Sequence, residues 1–547
     1  MIEPNLSLEE YVQYIMEGTH RPLKAHELLY HAVQFAIKND KVPLNVDRHL
    51  LNKVLEQYLI PASQGYDIQK RMLILVGPPG SGKSSLVHFL KKALETYSYT
   101  DQGAVFRISG CPMQEDPLLA LPQDMREQLP IQVEGSLSPY NHYRLMKEWK
   151  SWRNVPIERF YISEVDRKGV GTFFPADPYS QDTSDLVGSI DYATITKYGS
   201  PSDPRAYRYD GEFQAANRGI LELQEVFKCE PKLLYPFLSL AEEKQYKISR
   251  QSLISADQVV IGHTNEPDLQ RIVQLNQTAI LNRMVFIKVP YLLSIDHEVS
   301  MYRNKVLDKD KERLGFKALD TLAAALILTR MKKPTDGMTK LEKLEKYRNR
   351  VTIGDGEGML GLDPRYAFHV LSIVCAKNLN IIEVNDLLDE LKRIILQDYR
   401  ILEEQKETYL YNIQLAYKYY DHEWLKLIKN IIEKTSHDEL QELTKISLSK
   451  NMTKLHNVLG IDESNLDHFL SICDKLSLDV NELTYDDLPE RVKDMILDLF
   501  ILSQRHYLDE WIENSILPQL LNLKINVSHT INLHLIKVIE NYISRYL

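Results

Sequence analysis

Between residues 71 and 290 short unbroken apolar runs alternate with amphipathic segments: "MLILVG", "AVFRIS", "RFYISEV", "GILELQE", "QVVIGHTN" and "MVFIKVP". Runs of four to six apolar residues, each followed by a helical pattern, predict strands of a parallel sheet with crossover helices. Residues 1–65 carry a different pattern. "AHELLYHAVQFAIKND" and "RHLLNKVLEQYLI" place apolar residues at helical spacing, so an N-terminal helical region is expected there. After Pro290 the strands stop. Helices fill 291–395, interrupted by the Gly-rich turn "IGDGEGMLGLDPR" at 353–365, and 396–547 reads as a helical bundle rich in Leu, Ile, Tyr, Lys and Glu. The expected organisation is thus 1–65 helical, 66–290 α/β, 291–395 a helical lid, and 396–547 an all-α C-terminal domain. No internal repeat appears.

Length and composition narrow the class. A chain of 547 residues exceeds one ordinary core, so several domains are expected. Its net charge of -10 argues against a nucleic-acid partner, whose basic face shows in the total. The longest strongly apolar run, "LAAALIL" at 322–328, is far shorter than the ~20 residues that cross a bilayer. Cys111, Cys229, Cys375 and Cys473 have no ligand spacing and read as thiols of a reducing compartment. The acidic start "MIEPNLSLEEY" lacks a leader pattern. A cytoplasmic protein without a membrane partner is expected.

One stretch carries a specific chemistry. Gly77-Pro78-Pro79-Gly80-Ser81-Gly82-Lys83-Ser84 fits G-x-x-x-x-G-K-[ST], follows the strand "MLILV", and opens a helix through Ser85. Glycines there turn backbone N–H groups inward around phosphates. Lys83 brings a positive charge to the β/γ-phosphates, and Ser84 offers its hydroxyl to Mg²⁺. Binding of Mg-ATP follows. No other metal-ligand set is present; His263 reads as a packed or surface histidine.

A phosphate loop alone does not choose a reaction, and the downstream strand ends refine it. "GILELQE" ends in Gln224 and Glu225, where a nucleotide hydrolase ordinarily carries Asp-Glu. Gln224 can accept from a Mg²⁺-bound water, and Glu225 can take a proton from an attacking water or hydroxyl. A polar strand cap is the alternative for Glu225. "HTNEPD" places Asn265 at another strand end, "ILNRMVFIKVP" places Arg283 before the last strand, and "GLDPR" places Arg365 at a helix start.

This order resembles an AAA+ ATPase. The resemblance makes Gln224–Glu225 the Walker B pair, Asn265 sensor 1, Arg283 an arginine finger reaching a neighbouring subunit, and Arg365 sensor 2 in a helical lid. Blocks such as "CPMQEDPL", "ISEVDRKGVGTFFPADPYSQDTSDLVGSID", "YGSPSDPRAYRYDGEFQAANRGILELQEVFK" and "LISADQVVIGHTNE" resemble the bacterial PrkA family more narrowly, over roughly residues 1–400. That family is classed as serine protein kinases built on an AAA+ module. The resemblance implies γ-phosphoryl transfer from Mg-ATP to Ser/Thr of a protein, and a homo-oligomeric ring. After about 400 it weakens. By resemblance too, the polar stretch 169–213 is a loop that meets a protein client. Its Asp177, Asp182, Asp185, Asp191, Lys197, Asp203, Arg205, Arg208 and Asp210 equally suit a solvated face. "RKGVGTF" at 167–173 is too weak to be a second phosphate loop.

Two other readings stand beside the kinase. A ring-forming ATPase that remodels a protein partner suits the motif chemistry, and a nucleotide-gated scaffold suits slow hydrolysis at Gln224. No eukaryotic-type kinase motif and no protease signature is present.

Overall fold

The computed structural model describes residues 5–43, 46–175, 183–200, 202–229, 231–248, 252–335, 337–348, 356–448, 485–488, 490–504, 507–523, 525 and 529–544. The chain forms two compact units, Met1–Leu292 and Leu293–Leu547. The first is α/β and the second helical.

Among the described residues the strands are β1 (Asn5–Ser7), β2 (Met72–Val76), β3 (Val105–Ile108), β4 (Pro156–Phe160), β5 (Val170–Phe173), β6 (Ser189–Ile190), β7 (Tyr207–Arg208), β8 (Ile220–Leu223), β9 (Gln245–Lys247), β10 (Leu253–Ser255), β11 (Val259–Thr264) and β12 (Met284–Lys288). A five-stranded sheet runs β12-β2-β11-β8-β5, and every pair in it is parallel. β2, β8 and β11 are buried along their whole length because both faces are covered. Met72, Ile74 and Val76 enter one core, while Leu73 and Leu75 enter the other. The second core also holds the helices Ala25–Lys38 and Lys83–Ser98. The residues expected as an N-terminal helical region therefore share a core with the phosphate-loop helix.

Three features differ from the sequence expectation. "AVFRIS" and "RFYISEV" are not strands of the parallel sheet. The first supplies β3 and the second only Arg159 and Phe160 at the end of β4, and these strands join β1 in a separate antiparallel sheet ordered β1-β4-β3. Their half-buried residues, Arg107 in β3 and Glu158 in β4, mark strands with one wet face, and the two side chains pair at 2.7 Å. The missing fifth parallel strand is β5, inside "RKGVGTF". Its Gly171 is required, since a Cβ there would stand 2.6 Å from the Glu212 carbonyl oxygen. Residues 5–7, expected within a helical region, are extended because they pair with β4.

Two buried histidines tie the N-terminal segments to one another. His20 Nε2 lies 3.2 Å from the Tyr11 hydroxyl, and His26 Nε2 lies 3.2 Å from that of Tyr58. Burial pushes both imidazoles down to about 4. A depressed folded value means that their stability contribution is intact above the unfolded pKa of ~6.5 and is lost as pH falls towards 4. Glu115, raised by burial to about 7, acts with the opposite sign, so the test is a difference between variants. The stability gap between wild type and His26→Leu is expected to shrink by about 2 kcal/mol between pH 7.5 and 5.0. Denaturant unfolding at the two pH values checks it; a constant gap would contradict a neutral buried imidazole.

The second unit is built on the helices Ile295–Arg303, Ala318–Arg330, Pro364–Ala376, Val384–Gln397 and the long Glu403–Thr435, around one apolar cluster. Within it, Arg330 is fully buried and pairs with Glu298 at 2.5 Å. Its Nε donates to the Leu362 carbonyl at 2.9 Å, which fixes the turn leading into Pro364–Ala376. Among the described residues no helix is long and apolar enough to cross a membrane, and no disulfide joins the described cysteines. Cys473 lies outside the described residues.

Candidate functional site

The phosphate loop leaves the end of β2, which lies between β12 and β11 in the sheet. Gly77 N donates to the Thr264 carbonyl at 3.2 Å, locking the loop's start to the end of β11. A Cβ on Gly77 would stand 2.1 Å from the Val289 carbonyl oxygen, so the position admits only glycine. Gly80 and Gly82 have φ of 77° and 93°, in the left-handed region that favours glycine. These turns curl the chain so that helix Lys83–Ser98 begins at once. Its N-terminal N–H groups and partial positive charge form an anion cradle.

Two observations inside the loop fit a phosphate ligand. Ser81 Oγ is buried and makes no hydrogen bond. Lys83 Nζ donates to the carbonyls of Gly77 at 2.7 Å and Pro78 at 2.8 Å, which places an ammonium inside the loop. Ser84 is exposed at the first helical turn, in place to offer a hydroxyl to Mg²⁺.

The parallel register brings the other candidates to the same sheet edge. Val76 pairs with Thr264 and Leu223 with Gly262, so Gly77, Asn265 and Gln224 each leave a strand at its C-terminal end. With strands ~4.8 Å apart, this edge is where α/β sheets bind ligands. Asn265 caps helix Glu266–Gln274, its Oδ1 accepting from Asp268 N at 2.8 Å. The Nδ2 end of its amide is left as the donor. Gln224 N donates to the Phe173 carbonyl at 2.9 Å, extending the β8–β5 ladder by one step.

Glu225 then breaks the strand with φ 49° and ψ 42°. A left-handed glutamate costs about 1 kcal/mol. The turn is secured from the sensor side, because Arg271 of helix Glu266–Gln274 donates to the Phe227 carbonyl. The Glu225 carboxylate pairs with Lys228 and stays 43% exposed. That carboxylate is thus open to solvent just past the end of β8.

The arginines lie elsewhere. Arg283 precedes β12, and Met72 N donates to its carbonyl at 2.9 Å, so it sits at the N-terminal edge of the sheet. The length of β2, ~16 Å, separates it from the phosphate loop of its own chain. Arg283 Nε bonds Glu242 at 2.5 Å and Nη1 bonds the Ala279 carbonyl. Arg365 belongs to the second unit, exposed in the first turn of Pro364–Ala376, 3.9 Å from Asp363.

In the polar stretch 169–213, Asp177 and Asp182 lie outside the described residues. Several of the others hold the segment's own shape. Arg205 is sandwiched between Tyr143 and Tyr198 at 4.3 and 4.1 Å and is bonded twice to Asp203. Asp191 caps helix Tyr192–Tyr198. Arg208 and Asp210 pair at 3.5 Å on the surface, and Asp185 and Lys197 lie in short helices. The large exposed side chains here are Phe174 and Tyr192.

Sequence reasoning missed a buried polar cluster behind the site. Lys91 Nζ donates to Glu222 at 2.6 Å and to Glu164 and Thr172, each at 2.7 Å. His263 Nε2 lies 3.2 Å from the other oxygen of Glu222. Lys91, Glu222 and His263 are 2%, 4% and 7% exposed. Burial pushes the Glu222 carboxyl up, but the His263 hydrogen bond and the Lys91 charge outweigh it and hold the group at about 2. The one legible signal was an acid in the middle of the apolar strand "GILELQE".

Comparison with known proteins agrees with this architecture. Residues 45–337 match the PrkA AAA domain family and residues 332–454 match the PrkA serine protein kinase C-terminal domain family. The family match therefore runs past residue 400, where the resemblance was expected to fade. The chain is 37% identical over 504 residues to the ATP-dependent protease PrkA of Bacillus subtilis, covering 84% of this chain and 79% of that one. It is 30% identical over 348 residues to the serine/threonine kinase YeaG of Escherichia coli K12, covering 58% of this chain and about half, 53%, of YeaG. Among solved structures, NtrX from Brucella abortus in complex with ADP aligns at 12% identity and a TM-score of 0.33, over 70% of this chain and 66% of that one.

Proposed function

The chain belongs to the PrkA family, and from that premise we propose that it is an ATP-dependent enzyme acting on protein, with the phosphate-loop site as its engine. The observation that carries this reading is the shared sheet edge at which the phosphate loop with its Lys83, Asn265 and Gln224–Glu225 follow three neighbouring parallel strands. Lys83 and the loop N–H groups hold the β- and γ-phosphates. Asn265 Nδ2 orients the attacking oxygen, and the Glu225 carboxylate accepts its proton. Ser84, and Gln224 through water, would hold Mg²⁺, which would neutralise charge on the phosphate oxygens. A neutral amide at 224 holds a cation more weakly than a carboxylate, so turnover is slow.

Arg283 completes the site of a neighbouring copy, because its place at the far sheet edge puts it out of reach of its own. The assembly is a cytoplasmic homo-oligomer, consistent with a chain that lacks a membrane-spanning helix among its described residues. The attacking oxygen is water when the enzyme drives the handling of a protein client, the reading consonant with the Bacillus relative's name. Phe174 and Tyr192 are then the exposed side chains that contact the client. The second reading, transfer to a Ser/Thr hydroxyl, is favoured by the YeaG name and the C-terminal family match. In it Glu225 takes the serine proton in place of a water's.

The shared site is tested by complementation. Lys83→Ala and Arg283→Ala are each expected to be inactive alone. Their mixture is expected to recover roughly a quarter of wild-type phosphate release, because one in four interfaces pairs an intact loop with an intact arginine. No recovery on mixing would contradict a site shared between copies, and an Arg283→Ala variant active on its own would place Arg283 outside the reaction.

A further inference from the structure

The buried cluster behind the site joins four elements. Lys91 comes from helix Lys83–Ser98, Thr172 from β5, Glu222 from β8 and His263 from β11. Three of these elements also present a residue to the phosphates. Lys91 is ~12 Å along its helix from Lys83. Glu222 is ~10 Å along its strand from Glu225, and His263 ~7 Å from Asn265. None of the three reaches a nucleotide itself. All three can only act through the residues farther along their own elements.

A buried ion cluster is a weak source of stability, since apolar side chains of the same volume would do as well or better. What it supplies is directional register. Glu222 bridges Lys91 on one oxygen and His263 on the other, so a shift of the phosphate-loop helix along the sheet breaks a bond to β8. Van der Waals packing at the same place would tolerate sliding. A misplacement of ~1 Å at reacting groups costs about 10²-fold in rate.

We propose that Glu222 and His263 are positioning residues: their hydrogen bond orients the Glu222 carboxylate against Lys91, and the three together hold Lys83, Glu225 and Asn265 in one register for γ-phosphate chemistry. The inference rests on the function proposed above. Its test uses the full-length protein, measuring kcat and KM for Mg-ATP, affinity for a fluorescent ADP analogue, and Tm. His263→Leu is expected to lower kcat about tenfold or more, with nucleotide affinity within about threefold of wild type. His263→Gln places an amide N–H where Nε2 stood and is expected to restore most of kcat. In the double variant Glu222→Leu, His263→Leu, the losses are expected not to multiply, because His263 acts only through Glu222.

Affinity and Tm falling together with kcat unchanged would make the cluster merely structural and overturn the proposal, as would His263→Gln performing no better than His263→Leu. Should His263→Leu not fold, His263→Asn serves instead, since its shorter amide cannot reach Glu222; kcat equal to that of His263→Gln would overturn the proposal. A wild type that binds Mg-ATP but neither releases nor transfers phosphate would overturn the proposed function and this inference with it. Normal turnover in both wild type and His263→Leu would overturn this inference alone.

Discussion

Lys83→Ala is expected to lower ATP turnover by about 10²–10³-fold while leaving the fold intact. The Lys83 ammonium lies inside the phosphate loop, held by the carbonyls of Gly77 and Pro78. A triphosphate offers stronger acceptors than those carbonyls. The ammonium can therefore transfer to the phosphates without leaving the loop. Its charge then counts twice, once in binding and once as negative charge shifts toward the bridging oxygen during transfer. Removing it strips both contributions. Stability is expected to change little, because the side chain is only partly buried and the helix it opens is anchored by Leu86, Val87 and Leu90 in the core. Phosphate release and a thermal melt on the same preparation separate the two effects. A variant that keeps near-wild-type turnover would remove the phosphate loop from the reaction.

Glu225→Gln is expected to separate binding from chemistry. The carboxylate stands at a strand end with a left-handed backbone and is still accessible. Its pair with Lys228 is surface-exposed and contributes little to stability. Replacing it with an isosteric amide removes the proton acceptor and leaves the loop and its glycines untouched. Turnover is expected to fall about 10²–10³-fold with ATP affinity within a few-fold of wild type, so the variant holds ATP unhydrolysed. Gln224→Asp is expected to move the other way, raising turnover by adding a charge where Mg²⁺ is held. Single-turnover assays alongside equilibrium binding read both effects. Equal loss of affinity and rate in Glu225→Gln would make this residue part of the binding surface and return it to the role of a strand cap.

The sequence disclosed the parts of the fold that local chemistry fixes. The phosphate loop was legible because its glycines and lysine have a fixed spacing between strand and helix. β2, β8, β11 and β12 were legible because each carries a short, mostly apolar run bounded by turn or helix signals. β5 was not, since four residues that include a glycine make too short a signal. β3 and β4 were read as strands but assigned to the parallel sheet, because direction is set by pairing partners and not by the run itself.

The site divided in the same way. Lys83, Gln224, Glu225 and Asn265 all leave the ends of strands or the start of a helix, positions that patterning predicts. The Lys91–Glu222–His263 cluster joins residues 131 and 41 positions apart, and nothing local announces such partners. The reach of Arg283 was equally hidden. Only the register of β12 against β2 shows that it lies at the edge away from its own phosphate loop.

The most direct test of the central claim follows the γ-phosphate of labelled Mg-ATP in wild type and Lys83→Ala, with an unfolded general protein substrate and a cell extract present. The account predicts that wild type moves the label from ATP to free phosphate or to Ser/Thr of protein, and that Lys83→Ala abolishes the movement. Label on water alone selects the ATP-driven handling of a client; label on protein selects the kinase. Label that stays on ATP in wild type, or moves equally well in Lys83→Ala, would contradict the claim that this phosphate loop is the protein's engine.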